Sequence, residues 1–231
     1  MKFEDTFRHQ GLRRKMVENL RKKGIANEEV LNAMMQLPRH WFVESTFELA
    51  AYEVERALPI GEGQTISQPF TVAYQTSLLL PLGGNQRILE IGTGSGYQAS
   101  VLSTLGFRVF TIERHESLCL ETRKKILDMN LVKLGIAKFG IQTFFGDGYL
   151  GLPSFAPYDA ILVTCGAPSV PQALLNQLEI NGKLIIPVGV NTQRMRVITK
   201  TSEAGFEEVF YDDFRFVPFV QGKNNLLINN K

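Results

Sequence analysis

The segment Ile88–Tyr97, ILEIGTGSGY, constrains this chain most. An apolar run carrying one acid leads into three glycines on alternate positions, and a helical pattern follows at once. A backbone that leaves a strand, turns sharply and opens a helix needs residues free to take φ > 0. The unpaired N–H groups of the helix start then face whatever lies above the turn. The glycine spacing narrows the ligand. A dinucleotide fingerprint reads GxGxxG, its third glycine allowing close helix-strand packing beside a bound pyrophosphate. Gly92, Gly94 and Gly96 instead follow GxGxG, and Tyr97 stands at the third fingerprint position, where its side chain obstructs that approach. The pattern suits a nucleotide-type cofactor that has no pyrophosphate.

A second apolar run, Val109–Arg114 (VFTIER), places Glu113 about twenty residues beyond the loop, where nucleotide-binding βαβ units keep the acid that accepts from ribose hydroxyls. The alternative for Glu113 is a solvated carboxylate at a strand end; its pairing with the glycines favours the site. The GxGxG loop resembles motif I of the S-adenosylmethionine (SAM) methyltransferases.

At 231 residues the chain suits a single domain over 1–231, with an N-terminal helical part at 1–62 and a cofactor-binding α/β core with C-terminal strands at 63–231. Twenty-five basic against twenty-three acidic residues leave +2, too balanced for a nucleic-acid or anionic-membrane partner. Cys119 and Cys165 stand apart with neither CxxC nor Cys/His spacing, so neither a disulfide framework nor a metal site is expected. The start, MKFEDTFRHQ, lacks the apolar core of a signal peptide, and no apolar run is long enough to span a bilayer. A cytoplasmic, monomeric enzyme is the expectation.

Phe7, Leu12, Met16, Val17 and Leu20 recur at near-helical spacing, and Arg21–Lys23 with Gly24 end that helix. Arg13, Arg14 and Lys15 read as its solvated face. Asn27 caps a second helix with Glu28 and Glu29 in its first turn, and Pro38 stops it. From residue 87 strand and helix alternate: strands at Arg87–Ile91, Val109–Ile112, Thr143–Phe145, Ala160–Val163 and Leu184–Val188, helices at Tyr97–Leu105 and Ser117–Asn130. The alternation predicts an α/β fold, a doubly wound, mostly parallel sheet of Rossmann-like type with an N-terminal helical extension. Met195–Thr199 and Glu207–Phe216 read as late strands, partly antiparallel.

Between these parts lies GQTISQPFTVAYQT, where Ser67 or Gln68 is a natural N-cap with Pro69 in the first turn. Such a helix start can receive a carboxylate, although Ser67 can equally serve as a cap alone. His40, flanked by Trp41 in PRHWFV, reads as structural, since an acid-base histidine needs a positioned partner. Cys165 reads as a packed, inert small group.

TISQPFTVAYQT, PRHWFV, ILEIGTGSGYQASVL, GDG, YDAILVT, VPQALLNQL, NGKLIIPVG and FRFVPF together resemble, in order from about residue 11 to 219, the protein-L-isoaspartate O-methyltransferase family. The resemblance implies methyl transfer from SAM to the free carboxylate of L-isoaspartyl residues in damaged proteins and peptides, whose ester closes to a succinimide that hydrolyses partly to aspartate. It implies that Ser67 is the active-site serine that hydrogen-bonds the carboxylate. Gln64, Thr65 and Ile66 would form the cofactor wall with it. Gly92 and Gly94 would meet the methionyl part of SAM, Gly96 keeping the turn tight. Glu113 would accept from the ribose hydroxyls and Arg114 cover the adenine, which Asp147 and the Gly148 amide would read. Phe216, Val217 and Pro218 match the segment along the peptide, expected to add to it as a strand edge. The tail from Phe219 departs from longer family members, so no contact carries over there. A SAM methyltransferase for a small molecule would keep the glycines and Glu113, with no reason to contain the TISQP and PRHWFV segments.

Overall fold

The structure, a computed structural model, describes residues 3–81 and 85–225. Helix α1 spans Phe7–Lys22 behind the Thr6 cap, and α2 spans Glu28–Gln36 behind Asn27, whose side chain accepts from the Val30 amide at 3.1 Å. Both ends fall where capping chemistry places them, and the faces of Met16, Leu20, Val30, Leu31 and Met34 are buried together. The basic face of α1 differs from expectation. Arg13 is buried, donating from Nε to the Met35 carbonyl at 2.6 Å and forking onto Asp5 at 2.8 and 2.9 Å. The chain ahead of α1 supplies the carboxylate that a sequence periodicity cannot reveal.

Short 3-10 turns follow at Arg39–Phe42, Ser45–Phe47 and Ala50–Tyr52. A small antiparallel hairpin, β1 (Leu58–Gly61) and β2 (Gln64–Ile66), then turns through Gly61, Glu62 and Gly63, all with positive φ. Helix α3 (Pro69–Leu79) begins behind Gln68, whose side chain makes no capping bond. Ser67 therefore precedes the cap position.

The core runs β3 (Arg87–Ile91), α4 (Tyr97–Thr104), β4 (Arg108–Glu113), α5 (Glu116–Met129), β5 (Gln142–Phe145), β6 (Tyr158–Val163), α6 (Gln172–Leu175), β7 (Leu178–Val188), β8 (Gln193–Lys200) and β9 (Phe206–Phe214). The seven strands order as β5-β4-β3-β6-β7-β8-β9, parallel through β7 and antiparallel at the last two. Strand order reverses between β3 and β6, the crevice where ligands bind in open α/β sheets. Successive strand residues bury on opposite faces: Ile88, Val109, Ala160 and Ile185 on one, Leu89, Ile112, Ile161 and Leu184 on the other. Both faces are covered, which is why these strands read as continuous apolar runs.

Strand β7 starts six residues before the expected Leu184, because Leu178 pairs with Tyr158 and a register irregularity follows. Asn181 (φ 67) and Gly182 carry it; a Cβ on Gly182 would meet the Glu179 carbonyl oxygen at 2.8 Å. Polar turn-like residues thus lie within a strand. Strand β9 ends at Phe214 and leaves Phe216 in irregular chain.

Candidate active site

The carboxyl ends of β3, β4 and β6, the β2 strand and residues 217–220 enclose a cleft of about 810 Å³, counting the part open to solvent. Its floor is the glycine loop. Gly92 has φ 97, and a Cβ there would lie 2.6 Å from Thr164 Oγ1, while Thr164 donates to the carbonyl oxygens of Ile91 and Gly92 at 2.9 Å. The loop is thereby stitched to the end of β6, across the strand-order reversal. Gly94 donates its amide to Glu113 Oε2 at 3.0 Å, and the other carboxylate oxygen accepts from the His115 amide at 3.0 Å. Gly96 lies off the cleft lining; at φ 82 its Cβ would meet Thr122 Cγ2 at 2.9 Å, so it lets α4 close on α5.

Beneath the loop lies Glu90, fully buried, with one carboxyl oxygen unpartnered and the other accepting from the Thr111 hydroxyl. Thr93 stands 2.8 Å from that hydroxyl and itself lines the cleft. Burial pushes the Glu90 pKa up to about 8, and the charge of Glu113 adds to it.

Gln64, Thr65, Ile66 and Ser67 line the cleft together with Gly92, Gly94, Glu113, Arg114, Gly148, Val217 and Pro218. Asp147 and Phe216 stand off the lining. Asp147 accepts from the Tyr149 amide through Oδ1 and from the Gly222 amide through Oδ2, both at 2.9 Å. The Phe216 amide donates to Gln193 Oε1 at 2.9 Å. The expected strand edge for a peptide is also altered here: the Val217 carbonyl accepts from Gly166 and the Phe219 amide donates to the Gly166 carbonyl, both at 2.8 Å. These main-chain groups are already paired.

Sequence reasoning passed over several lining residues: Ser95, Gln98, His115, Thr164, Phe219 and Val220. Ser95 lay inside the glycine motif; Phe219 and Val220 became legible only once the tail folded across the sheet. That tail is well tied. Arg114 donates to the Gly222 carbonyl at 3.1 Å, the Asn224 amide to the Arg114 carbonyl at 2.7 Å, and the Asn224 side chain meets His115 Nδ1 at 2.9 Å. The tail beyond residue 225 lies outside the described residues. Cys165 borders the cleft, where burial pushes its thiol pKa up and the Glu113 charge adds to the shift; such a thiol is a poor nucleophile.

His40 is not alone. Its ring stacks on His9 at 3.8 Å, with Nδ1 at 2.6 Å from the Tyr52 hydroxyl and Nε2 at 2.8 Å from the Glu4 carbonyl oxygen. Asp5, His9 and His40 gather within 4.8 Å, with the Asp5 carboxylate forked by Arg13 and both His40 nitrogens engaged. The cluster pins the N-terminal segment down.

A family model for protein-L-isoaspartate(D-aspartate) O-methyltransferases matches residues 11–224. The chain belongs to this family. A protein-L-isoaspartate O-methyltransferase of Flavobacterium psychrophilum is 50% identical over 221 residues, covering 96% of this chain and 100% of the relative. That of Cytophaga hutchinsonii is 53% identical over 218 residues, 94% of each chain. A Plasmodium falciparum protein-L-isoaspartate O-methyltransferase solved in complex with S-adenosyl-L-homocysteine superposes with a TM-score of 0.78 at 25% identity, over 90% of this chain and 98% of that one.

The cleft fits a nucleoside-bearing cofactor of the kind such methyltransferases use. A Cβ at Gly92 would close the floor, and one at Gly148 would strike Ile91 at 2.5 Å and Phe219 at 3.0 Å, so both positions demand glycine. Glu113 presents a carboxylate whose remaining lone pairs can accept from hydroxyls.

Proposed function

We infer that the protein transfers a methyl group from SAM to the free carboxylate of L-isoaspartyl residues in damaged proteins and peptides. The observation that carries this reading is the presence of Ser67 on one cleft wall with the glycine loop and Glu113, in a chain matched by the family model over residues 11–224. SAM, when bound, supplies an activated methyl group on a sulfonium leaving group.

In our reading the Ser67 hydroxyl holds the substrate carboxylate, with Gln64, Thr65 and Ile66 walling the cofactor beside it. No general base is required, because a carboxylate with an ordinary pKa near ~4 is already ionised at neutral pH. Orientation then dominates: well-placed reactants save roughly 7–11 kcal/mol of barrier. Gly92 and Gly94 allow close main-chain approach, Glu113 accepts from the ribose hydroxyls, and Arg114 covers the base. Asp147 has lone pairs left beyond its two amide bonds, and with the Gly148 amide it reads the adenine edge. Val217 and Pro218 face the peptide, with Phe216 holding their segment.

We assign the whole chain to one working domain that acts in the cytoplasm without a nucleic-acid partner. The near-neutral charge balance supports the lack of a nucleic-acid partner. No helix among the described residues is long and apolar enough to cross a membrane.

Methyl transfer from labelled SAM to paired peptides, identical except for L-isoaspartyl or L-aspartyl at one position, tests the reading. Labelling of the L-isoaspartyl peptide alone is expected. Equal labelling of both, or labelling of small carboxylates instead, would sink it.

A further inference from the structure

Arg39 is fully buried, and its surroundings are unusual for a cation. Nε donates to the Ala51 carbonyl at 2.7 Å, Nη2 donates to the Ser67 carbonyl at 2.6 Å, and the guanidinium lies over the Tyr97 ring at 4.5 Å. Nη1 has no hydrogen-bond partner, and neither has the buried hydroxyl of Tyr97. No carboxylate among the described residues pairs with it; Tyr97 and Tyr52 are the groups that support its charge. Burial draws its pKa down to about 10, which still leaves the charge in place at neutral pH. The other buried arginine among the described residues, Arg13, is forked onto Asp5.

A buried charge left without a counter-ion is costly, and the fold could have placed a neutral donor there. What distinguishes the place is its neighbour. The guanidinium sits one carbonyl group from Ser67, and Tyr97, whose ring it covers, lines the same cleft as Ser67. An anion arriving at the Ser67 hydroxyl meets a fixed positive potential in a medium of low dielectric, where charges separated by several ångströms still interact strongly.

We propose that Arg39 is the positioning and selectivity residue for the substrate carboxylate: its fork fixes the Ser67 main chain, and its unneutralised charge makes the cleft prefer an anionic over a neutral group. The proposal rests on the isoaspartyl reading. It explains how a chain with a net charge of only +2 would discriminate in favour of a carboxylate. The two functions separate chemically, because a lysine keeps the charge yet cannot hold both carbonyls while stacking on the ring.

The test uses two synthetic peptides, one with an L-isoaspartyl residue and one with its free α-carboxylate replaced by a carboxamide. Their binding is measured by calorimetry with S-adenosyl-L-homocysteine present, alongside kcat, KM and melting temperature. Wild-type protein is expected to bind the carboxylate peptide at least tenfold more tightly than the carboxamide. Arg39→Met should bring that ratio below threefold. Arg39→Lys should retain most of it while kcat falls at least tenfold. Affinity for S-adenosyl-L-homocysteine should stay within threefold throughout. If Arg39→Met fails to fold, Arg39→Gln, neutral but still a donor, carries the same comparison. A neutral variant that keeps the wild-type ratio, a lysine variant that loses it as completely, or a wild-type ratio near one overturns the proposal. Failure of wild-type protein to methylate the L-isoaspartyl peptide instead overturns the functional reading, before any variant is made.

Discussion

Around the glycine loop the cleft is fixed by main chain: positive-φ glycines, a threonine stitching two strand ends, and a carboxylate bound to two amides. Around Ser67 it is fixed by a buried side chain from the N-terminal part, through Arg39 and the turns that carry it. The first construction excludes any added atom and is held by partners at the ends of the neighbouring strands. The second tolerates local change and depends on how the N-terminal part packs. In the proposed reading a cofactor common to many enzymes rests on the first, and recognition of an uncommon substrate on the second.

The largest effect should come from adding one carbon to the main-chain side. Gly92→Ala combines a φ of 97 with a Cβ placed 2.6 Å from Thr164 Oγ1. Strain and overpacking together should cost about 3 kcal/mol. Denaturant titration should show it as lost stability, and displacement of the loop should also weaken SAM binding in calorimetry; wild-type stability and affinity together would mean that close approach at this glycine is unimportant.

Glu113→Ala comes next. It frees the amides of Gly94 and His115 and removes the proposed acceptor for the ribose, so SAM affinity should fall by roughly 1.5–3 kcal/mol. Unchanged binding would remove Glu113 from the site.

Ser67→Ala probes the other side. Turnover should fall by about 2 kcal/mol of barrier while SAM affinity stays nearly constant, the loss of one hydrogen bond to a charged group. A capping role would instead cost about 1 kcal/mol of stability and leave kcat intact. Measuring kcat, SAM affinity and melting temperature on one preparation separates the two.

The smallest effect is a gain. Glu90 has its pKa raised to about 8, so between about pH 4.5, its unfolded value, and pH 8 the folded chain keeps a proton that the unfolded chain has released. Its contribution to stability is complete below pH 4.5 and is lost as pH rises towards 8. Glu90→Gln removes that slope while the amide N–H it buries costs a constant amount, so the variant gains on wild type as pH rises from 4.5 to 8 and loses that gain towards the acid end. Denaturant titrations of the cofactor-free protein at several pH values would show it; parallel profiles for the two proteins would contradict it.

The main-chain side was the legible one. Gly92, Gly94 and Gly96 announce their backbone in the sequence, and β3, β4 and β6 are short apolar runs because both their faces are covered. What escaped reading depends on partners distant in sequence. Arg13 looked solvated because Asp5 comes to it from another segment, and His40 looked isolated because His9 stacks on it from α1. The β1–β2 hairpin is too short for a periodicity to register, and the start of β7 is disguised by Asn181 and Gly182. Ser67 was reached through a resemblance, while Arg39, whose guanidinium secures it, looks in the sequence like any surface arginine.

The tail that crosses the cleft also sets a timetable. Gln64 leaves the ribosome early, whereas Val217–Val220 and the ties at Gly222 and Asn224 leave it late. A nascent chain exposed as far as Phe214 has every strand of the sheet but lacks one wall of the cleft and the clasp on Arg114. The strands of the sheet are thus complete in sequence before the residues that close the cleft, so in the proposed reading tight enclosure of the cofactor depends on contacts made beyond the sheet.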